Sequence, residues 1–460
     1  MDLDFPVTQA DRLVGELSEF LRIPSVSALP QHKGDCWRAA EWLCHEFHRL
    51  GFEVVRLIEG DGHPVVWAAS PHQPGKPTLL CYGHYDVQPP DPLDEWLTPP
   101  FEPTVREGRL YGRGTADDKG QLYALIKAYE AVRGPDGLPP CNVHFLVEGE
   151  EECGGHVLPE LLAREPHLVR ADAALVADMS YWAPGWPAVY TALRGLCYAE
   201  LHVRTLQRDL HSGTYGGVAP NALETLVRLL GDLKSRKGKI RIPKLYKRVV
   251  PPGDEELAGW AALPFDEQRF IGHEMTARAA TGLADRTILE RTWALPTFEI
   301  HGIMGGFTGA GAKTVIPATA AAKVSLRLVP GLPYELVLHM LERRAQKLVP
   351  SWAEVTVKPH HGGDPVQVAV DAPCFAVLDA AFEEVTGRKA VRVRAGGSIP
   401  IVPELGREGA PVMLTGIGLP DDGLHSPNEK LDLSQLHDGI RVFGRFMERF
   451  GEAPAATISD

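Results

Sequence analysis

Five short patches carrying histidine or carboxylate side chains are scattered between residues 83 and 430: Gly83-His84-Tyr85-Asp86, Ala116-Asp117-Asp118-Lys119-Gly120, Glu150-Glu151-Glu152, Ala177-Asp178, and Leu424-His425-Ser426-Pro427-Asn428-Glu429-Lys430. If groups this far apart work together, the fold must carry all of them to one rim. Two imidazoles and several carboxylates, with no thiolate, form a nitrogen and oxygen donor set that suits zinc, with manganese as the alternative. Two such ions, about 3.5–4 Å apart, polarise a carbonyl and lower the pKa of a shared water. The chemistry expected is amide hydrolysis.

At 460 residues the chain is too long for one ordinary core, and two domains of roughly 150–250 residues are expected. A net charge of -13 argues against a nucleic-acid partner, which needs a basic footprint. The basic stretch Lys234–Arg248 is followed by Asp254-Glu255-Glu256 and reads as the solvated face of a surface insertion. Seven cysteines without a C-x-x-C pair fit reduced thiols in a cytoplasm. The acidic N-terminus lacks the basic and apolar regions of a signal peptide, and no apolar run reaches the roughly 18 residues that span a bilayer. A cytoplasmic protein with no membrane partner is expected.

Thr8 with Asp11 resembles a capping box opening a helix through Phe20, and Asp35–Leu50 reads as a second helix ended by Gly51. Strand-like runs at Phe52–Ile58, Pro64–Ala69, Thr78–Tyr82, Asn142–Val147 and Ala173–Val176 alternate with helices near Lys119–Arg133 and Val157–Arg164. This order predicts an α/β domain with a largely parallel, helix-covered sheet. His84, the glutamate run and Asp178 each follow a strand, where open α/β sheets bind their ligands.

From Leu196 the pattern changes to strands at Leu196–Thr205, Thr297–Gly302, Ala322–Val329 and Ala353–Lys358, with helices at Asn221–Leu233 and Tyr334–Leu348. A two-layer α+β domain inserted into the first is expected. The boundaries are 1–195 and 375–460 for the first domain and 196–374 for the insertion. The stretch Lys234–Leu295 is too long for a plain loop and should carry short helices.

The motifs GHYDVQP (Gly83–Pro89), YGRGTADDKG (Tyr111–Gly120), EGEEECGG (Glu148–Gly155), DLHSGTYGG (Asp209–Gly217), GAKTVIP (Gly311–Pro317), SLRLVP (Ser325–Pro330), GGSIP (Gly396–Pro400) and HSPNEK (His425–Lys430) resemble, in order, those of the M20 metallopeptidases, and most of all the carnosinase and cytosolic nonspecific dipeptidase branch. The resemblance implies a di-metal catalytic domain and an inserted lid that also forms a homodimer.

Carried over by motif, His84 and Asp178 would hold one metal, Glu152 and His425 the other, and Asp117 would bridge them. Asp86 would orient the His84 imidazole. Spacing alone leaves three candidates for the general base; the family pattern, in which a Glu pair directly precedes x-Gly, selects Glu151 as base and Glu152 as ligand. The resemblance also implies a cis Asp117–Asp118 bond. In the lid, His211 would reach the neighbouring subunit's site and stabilise the oxyanion, and Thr314, Arg327, His361, Gly397 and Ser398 would hold the substrate. A guanidinium at Arg327 suits a free C-terminal carboxylate. Ala395 departs from the family, where an acid often precedes Gly-Gly-Ser.

Blander readings stand beside these. His144, inside a strand, reads as a core residue, and Cys153 as a small buried residue without an activating motif. Gly112–Asp117 has an acid where a dinucleotide fingerprint needs its third glycine, and Gly306–Thr314 has Ala312 where a phosphate loop needs glycine before Lys-Thr. The reading is therefore hydrolysis of dipeptides or short peptides with a free carboxylate, using a metal-bound hydroxide. Its rivals are an N-acyl-amino-acid amidohydrolase and a noncatalytic binding protein on the same fold.

Overall fold

Thr78–His84 and Ala173–Ala177 are near-continuous apolar runs, as strands covered on both faces must be, and both are buried along almost their whole length. The computed structural model describes residues 3–397 and 399–452. The chain divides into two compact units, Met1–Thr191 with Val368–Val393 and Ile399–Asp460, and Ala192–Gln367 with Arg394–Ser398. The second unit thus recovers a short piece, Arg394 to Gly397, that the sequence places in the first. The Arg194 N–H donates to the Ala395 carbonyl at 3.2 Å, a pairing across the chain that local pattern does not reveal.

In the first unit a mixed sheet runs in the order Val54–Ile58, Val65–Ala69, Asn142–Glu148, Thr78–His84, Ala173–Ala177, Val412–Thr415, Ala188–Leu193. Its four central strands are parallel, while Val54–Ile58, Val65–Ala69 and Ala188–Leu193 pair antiparallel on the flanks. The parallel register sets His84 opposite Glu148, so the segments that follow both strands leave the sheet at the same end.

The helix Lys119–Val132 is buried on nearly every side and packs against Leu433–Gly451. Lys33–Arg49 brings Phe47 to Phe52 and Phe145, each at a ring-centroid separation of 5.0 Å, and Phe52 in turn meets Tyr129 at 4.5 Å. Each such side chain contributes about 1.5–3 kcal/mol by leaving water.

No capping box forms at Thr8. Pro6 starts a separate turn over Phe5–Thr8, and the Thr8 hydroxyl donates back to the Phe5 carbonyl. The next helix, Ala10–Leu21, begins after Gln9 without a side-chain cap. Gly51 does end the Lys33–Arg49 helix, at φ 74°. The Asp117–Asp118 peptide is cis, as is Asp91–Pro92.

The second unit has a four-stranded antiparallel sheet in the order Thr297–Gly305, Thr319–Leu328, Gly195–Arg204, Glu354–Gly363. Alternate residues of Gly195–Arg204 are buried, the signature of a sheet covered on one face. Ala222–Leu233 and Tyr334–Leu348 cover that face, and the Asn221 side chain caps the first of them through the Leu223 and Glu224 amides. Between these elements lie short helices at Asp254–Ala261 and Ile288–Trp293. Ile240, Ile242 and Leu245 anchor the basic stretch to the core.

Among the described residues no helix is long and apolar enough to cross a membrane. The seven cysteines are unpaired. His144 is half-buried in its strand and tilted against Trp67. Cys153 is exposed rather than buried, because the turn that aims its neighbours inward leaves its own side chain outside.

Candidate metal centre

His84 ends its strand with a 1% exposed ring. Its Nδ1–H donates to the Asp86 carbonyl at 3.1 Å. A carbonyl only accepts, so the neutral ring keeps its lone pair on Nε2, turned toward Asp117 Oδ1 at 3.2 Å and Asp178 Oδ2 at 3.8 Å. On the other side of Asp117, His425 Nε2 lies 3.0 Å from Oδ2 and 3.4 Å from Glu152 Oε2. Asp117 therefore touches both imidazoles through different oxygens. The five ligands expected from sequence come together.

Two donor groups result: His84, Asp118 and Asp178, and Asp117, Glu152 and His425. Asp118 was missed as a candidate. Its Oδ2 accepts the His84 backbone N–H at 3.1 Å, while Oδ1 is buried with no hydrogen-bond partner among the described residues. His84 Nε2 and Glu152 Oε1 share that condition. Buried donors and acceptors without partners are costly, and three of them converging on one place fit cations.

The charges argue the same way. Five carboxylates, Asp117, Asp118, Glu151, Glu152 and Asp178, face two imidazoles. Burial pushes Glu151 up to about 9, helped by Asp178 and Glu152 and opposed by His84. Burial and Asp117 raise Glu152 to about 7, and burial and Asp178 raise Asp118. Burial alone would lower His84, but Asp117, Asp178 and Asp86 carry it above the usual imidazole range. Asp117 runs opposite: burial would raise it, yet His425 and His84 hold it below the usual carboxylate range. A surplus of buried negative charge is offset by divalent cations.

The three consecutive glutamates divide their work. Glu150 accepts the backbone amides of His63, His156 and Val157 at 3.0–3.2 Å, and a Cβ on Gly62 or Gly155 would fall within 2.0 Å of its carboxylate oxygens. It pins the turn. Glu152 takes a bond from Gln88 Nε2 at 2.8 Å, a second residue that sequence reasoning missed. Glu151 feels His84, Asp178 and Asp86 electrostatically.

Asp86 makes contacts on two sides. Its carboxylate lies 3.4 Å from His84 Nδ1, the ring being held by the backbone carbonyl, and Oδ2 accepts from Ser27 Oγ at 2.6 Å and from the Glu152 amide at 3.1 Å. It therefore couples the His84 segment to the Glu152 turn. A third acidic group, Glu16, Glu46 and Glu130, converges on Lys127 Nζ instead.

Within the second unit the expected lid residues form three small groups. His211 and Thr314 meet where the Ser212 amide donates to the Thr314 carbonyl at 3.1 Å. Arg327 lies beside Arg194, whose guanidinium packs against Gly396, next to Gly397; a Cβ on Gly396 would lie 2.7 Å from Nη2. Burial, then Arg327, lowers Arg194 to about 10, and its Nε is buried without a partner among the described residues. His361 stacks on Tyr198, which stacks on His301, at centroid separations of 5.1 and 5.2 Å. Arg194 and Tyr198 gave no sequence signal because each gains its meaning from a neighbouring strand. Ser398 lies outside the described residues.

An α/β sheet whose strand ends gather paired imidazoles and carboxylates defines the class of metal-dependent hydrolases. Residues 80–449 match Peptidase family M20/M25/M40. The chain is 32% identical over 458 residues to the beta-Ala-His dipeptidase of Homo sapiens, covering 95% of this chain and 89% of that protein. It is 33% identical over 452 residues to the Cys-Gly metallodipeptidase dug1 of Schizosaccharomyces pombe, covering 94% of each. The crystal structure of human carnosine dipeptidase 1 matches with a TM-score of 0.81 at 30% identity, covering 98% of both chains. The chain belongs to the M20 family of peptidases. It is a metallopeptidase of that type.

Proposed function

We propose that the protein hydrolyses the peptide bond of dipeptides or short peptides with a free C-terminal carboxylate. The observation that carries this reading is the double contact of Asp117, 3.2 Å from His84 Nε2 and 3.0 Å from His425 Nε2, with Asp178 and Glu152 alongside. His84, Asp118 and Asp178 would hold one divalent ion, and Glu152 and His425 the other, with Asp117 between. Zinc suits these donors, and manganese is the alternative. Such ions, when bound, polarise a scissile carbonyl and make water a usable nucleophile near neutral pH.

Glu151 takes the proton from the attacking water and passes it to the leaving amine. Burial and the neighbouring acids by themselves raise its pKa, and two bound dications would draw it back down, leaving the carboxylate ionised to accept the proton. Asp86 positions both His84 and the Glu152 turn. The His211 Nε2–H donates to the developing oxyanion, Arg327 with Arg194 beside it grips the substrate carboxylate, and Thr314, His361, Gly397 and Ser398 complete recognition.

The second unit serves as lid and as the face of a homodimer. Thr297–Gly305 is an edge strand with exposed Ile300, Ile303 and Met304, the kind of edge that a second copy covers. Unpaired cysteines support a cytoplasmic setting.

The test is a panel of dipeptides, C-terminally amidated dipeptides and N-acyl amino acids, offered to protein loaded with zinc or with manganese. Dipeptides with a free carboxylate should be turned over fastest. Preference for N-acyl amino acids would move the assignment to an amidohydrolase, and cation uptake without amide hydrolysis would mark a binding protein.

A further inference from the structure

Glu429 is fully buried, and its carboxylate accepts hydrogen bonds from backbone amides and from Arg113. Its Oε1 accepts the backbone amides of Ala116 at 2.8 Å and Asp117 at 3.1 Å, and its Oε2 accepts the Gly114 amide at 3.0 Å and Arg113 Nη1 at 2.7 Å. Its own carbonyl accepts the Gly112 amide at 3.0 Å. One side chain thus gathers the whole turn that presents Asp117. Arg113, 1% exposed, extends the arrangement by donating to the Pro89 carbonyl at 3.3 Å and lying over Trp96.

We infer that Glu429, braced by Arg113, is a positioning residue that sets Asp117 against His425 and so governs the cation held by Asp117, Glu152 and His425. The inference rests on the two-cation reading above. Glu429 follows His425 by four residues, and this connecting loop holds His425 and Asn428 at φ 59° and 62°. Asn428 is anchored there by the Leu97 amide at 2.8 Å and the Glu95 carbonyl at 2.9 Å. The Glu429 bonds fix the end of this loop to the Asp117 turn. His84 and Asp178 are carried by paired strands and Asp118 Oδ2 accepts the His84 amide, so the effect should fall mainly on Asp117, Glu152 and His425 and less on the group that Asp117 touches only through Oδ1.

The experiment is zinc titration of chelator-stripped protein by calorimetry, with bound metal counted by elemental analysis. Wild type should take up two equivalents. Glu429→Gln keeps the shape but loses the charge that the three amides and Arg113 face. It should bind one equivalent about tenfold to a hundredfold more weakly and the other with a clearly smaller loss. Leu431→Ala removes buried bulk two residues away and controls for general destabilisation; it should still bind two. If Glu429→Gln does not fold, Arg113→Lys gives the same readout with a smaller effect. Undiminished binding of both equivalents by the Glu429 variant, or equal loss in Leu431→Ala, overturns the inference and leaves the two-cation reading intact. Fewer than two equivalents in wild type removes both.

Discussion

His211 Nδ1 accepts the backbone N–H of Gly213 at 3.0 Å. An amide can only donate, so the proton of the neutral ring is on Nε2, the tautomer an oxyanion donor needs. A Cβ at position 213 would lie 2.7 Å from His211 Cε1 and would push the ring out of this position. His211→Ala should lower kcat by about a hundredfold to a thousandfold with both cations retained. If His211 serves the neighbouring subunit, mixing His211→Ala with Glu151→Gln protein should recover activity in heterodimers. No recovery, with mixed dimers demonstrated, argues for a site built within one chain.

Glu151 and Glu150 are adjacent but not interchangeable. Glu151→Gln should bind both cations, keep its melting temperature and lose most turnover, because an amide cannot carry the proton. Hydrolysis near the wild-type rate would falsify the role. Glu150→Gln should instead lower stability, since its carboxylate holds three backbone amides.

Arg327→Lys replaces a planar fork with a point charge. It should raise KM for dipeptides with a free carboxylate by about tenfold or more and leave kcat less affected, an outcome that steady-state kinetics reads directly. A C-terminal amide substrate should already be poor for wild type and should lose little more in the variant. Equal losses on acid and amide would mean that the arginine does not read the carboxylate.

Lys127 should make the fold acid-sensitive. Its buried ammonium meets Glu16 at 2.6 Å, Glu46 at 2.5 Å and Glu130 at 3.0 Å. Burial would raise these carboxyls, but Lys127 with Arg12 and Arg49 lowers all three. Folded pKa values below the unfolded ones mean that the unfolded chain binds more protons, so this stabilisation is complete above roughly pH 4.5 and fades as pH falls through the folded values. Lys127→Met should cost about 3–5 kcal/mol at pH 7. Urea unfolding at pH 7 and near pH 3 should show the wild-type advantage shrinking on acidification; a constant difference would mean that lost packing, not charge, sets the cost.

Much of this was readable from the chain. Strand runs such as Thr78–His84 announced themselves by apolar continuity, and His84, Asp117, Glu152, Asp178 and His425 by short motifs whose local order is covalent. The thiolate-free donor set followed from residue type alone. By contrast, the meeting of Asp118 with His84 and Asp178, the different partners of Glu150 and Glu152, the Arg194–Arg327 pair, the His361–Tyr198–His301 stack and the Glu429 bonds join residues from separate strands and loops. A pattern along the chain records periodicity and side-chain chemistry, because those act between near neighbours. Which oxygen faces which proton depends on burial and on distances of about 3 Å, and those exist only once the sheet has brought remote segments together.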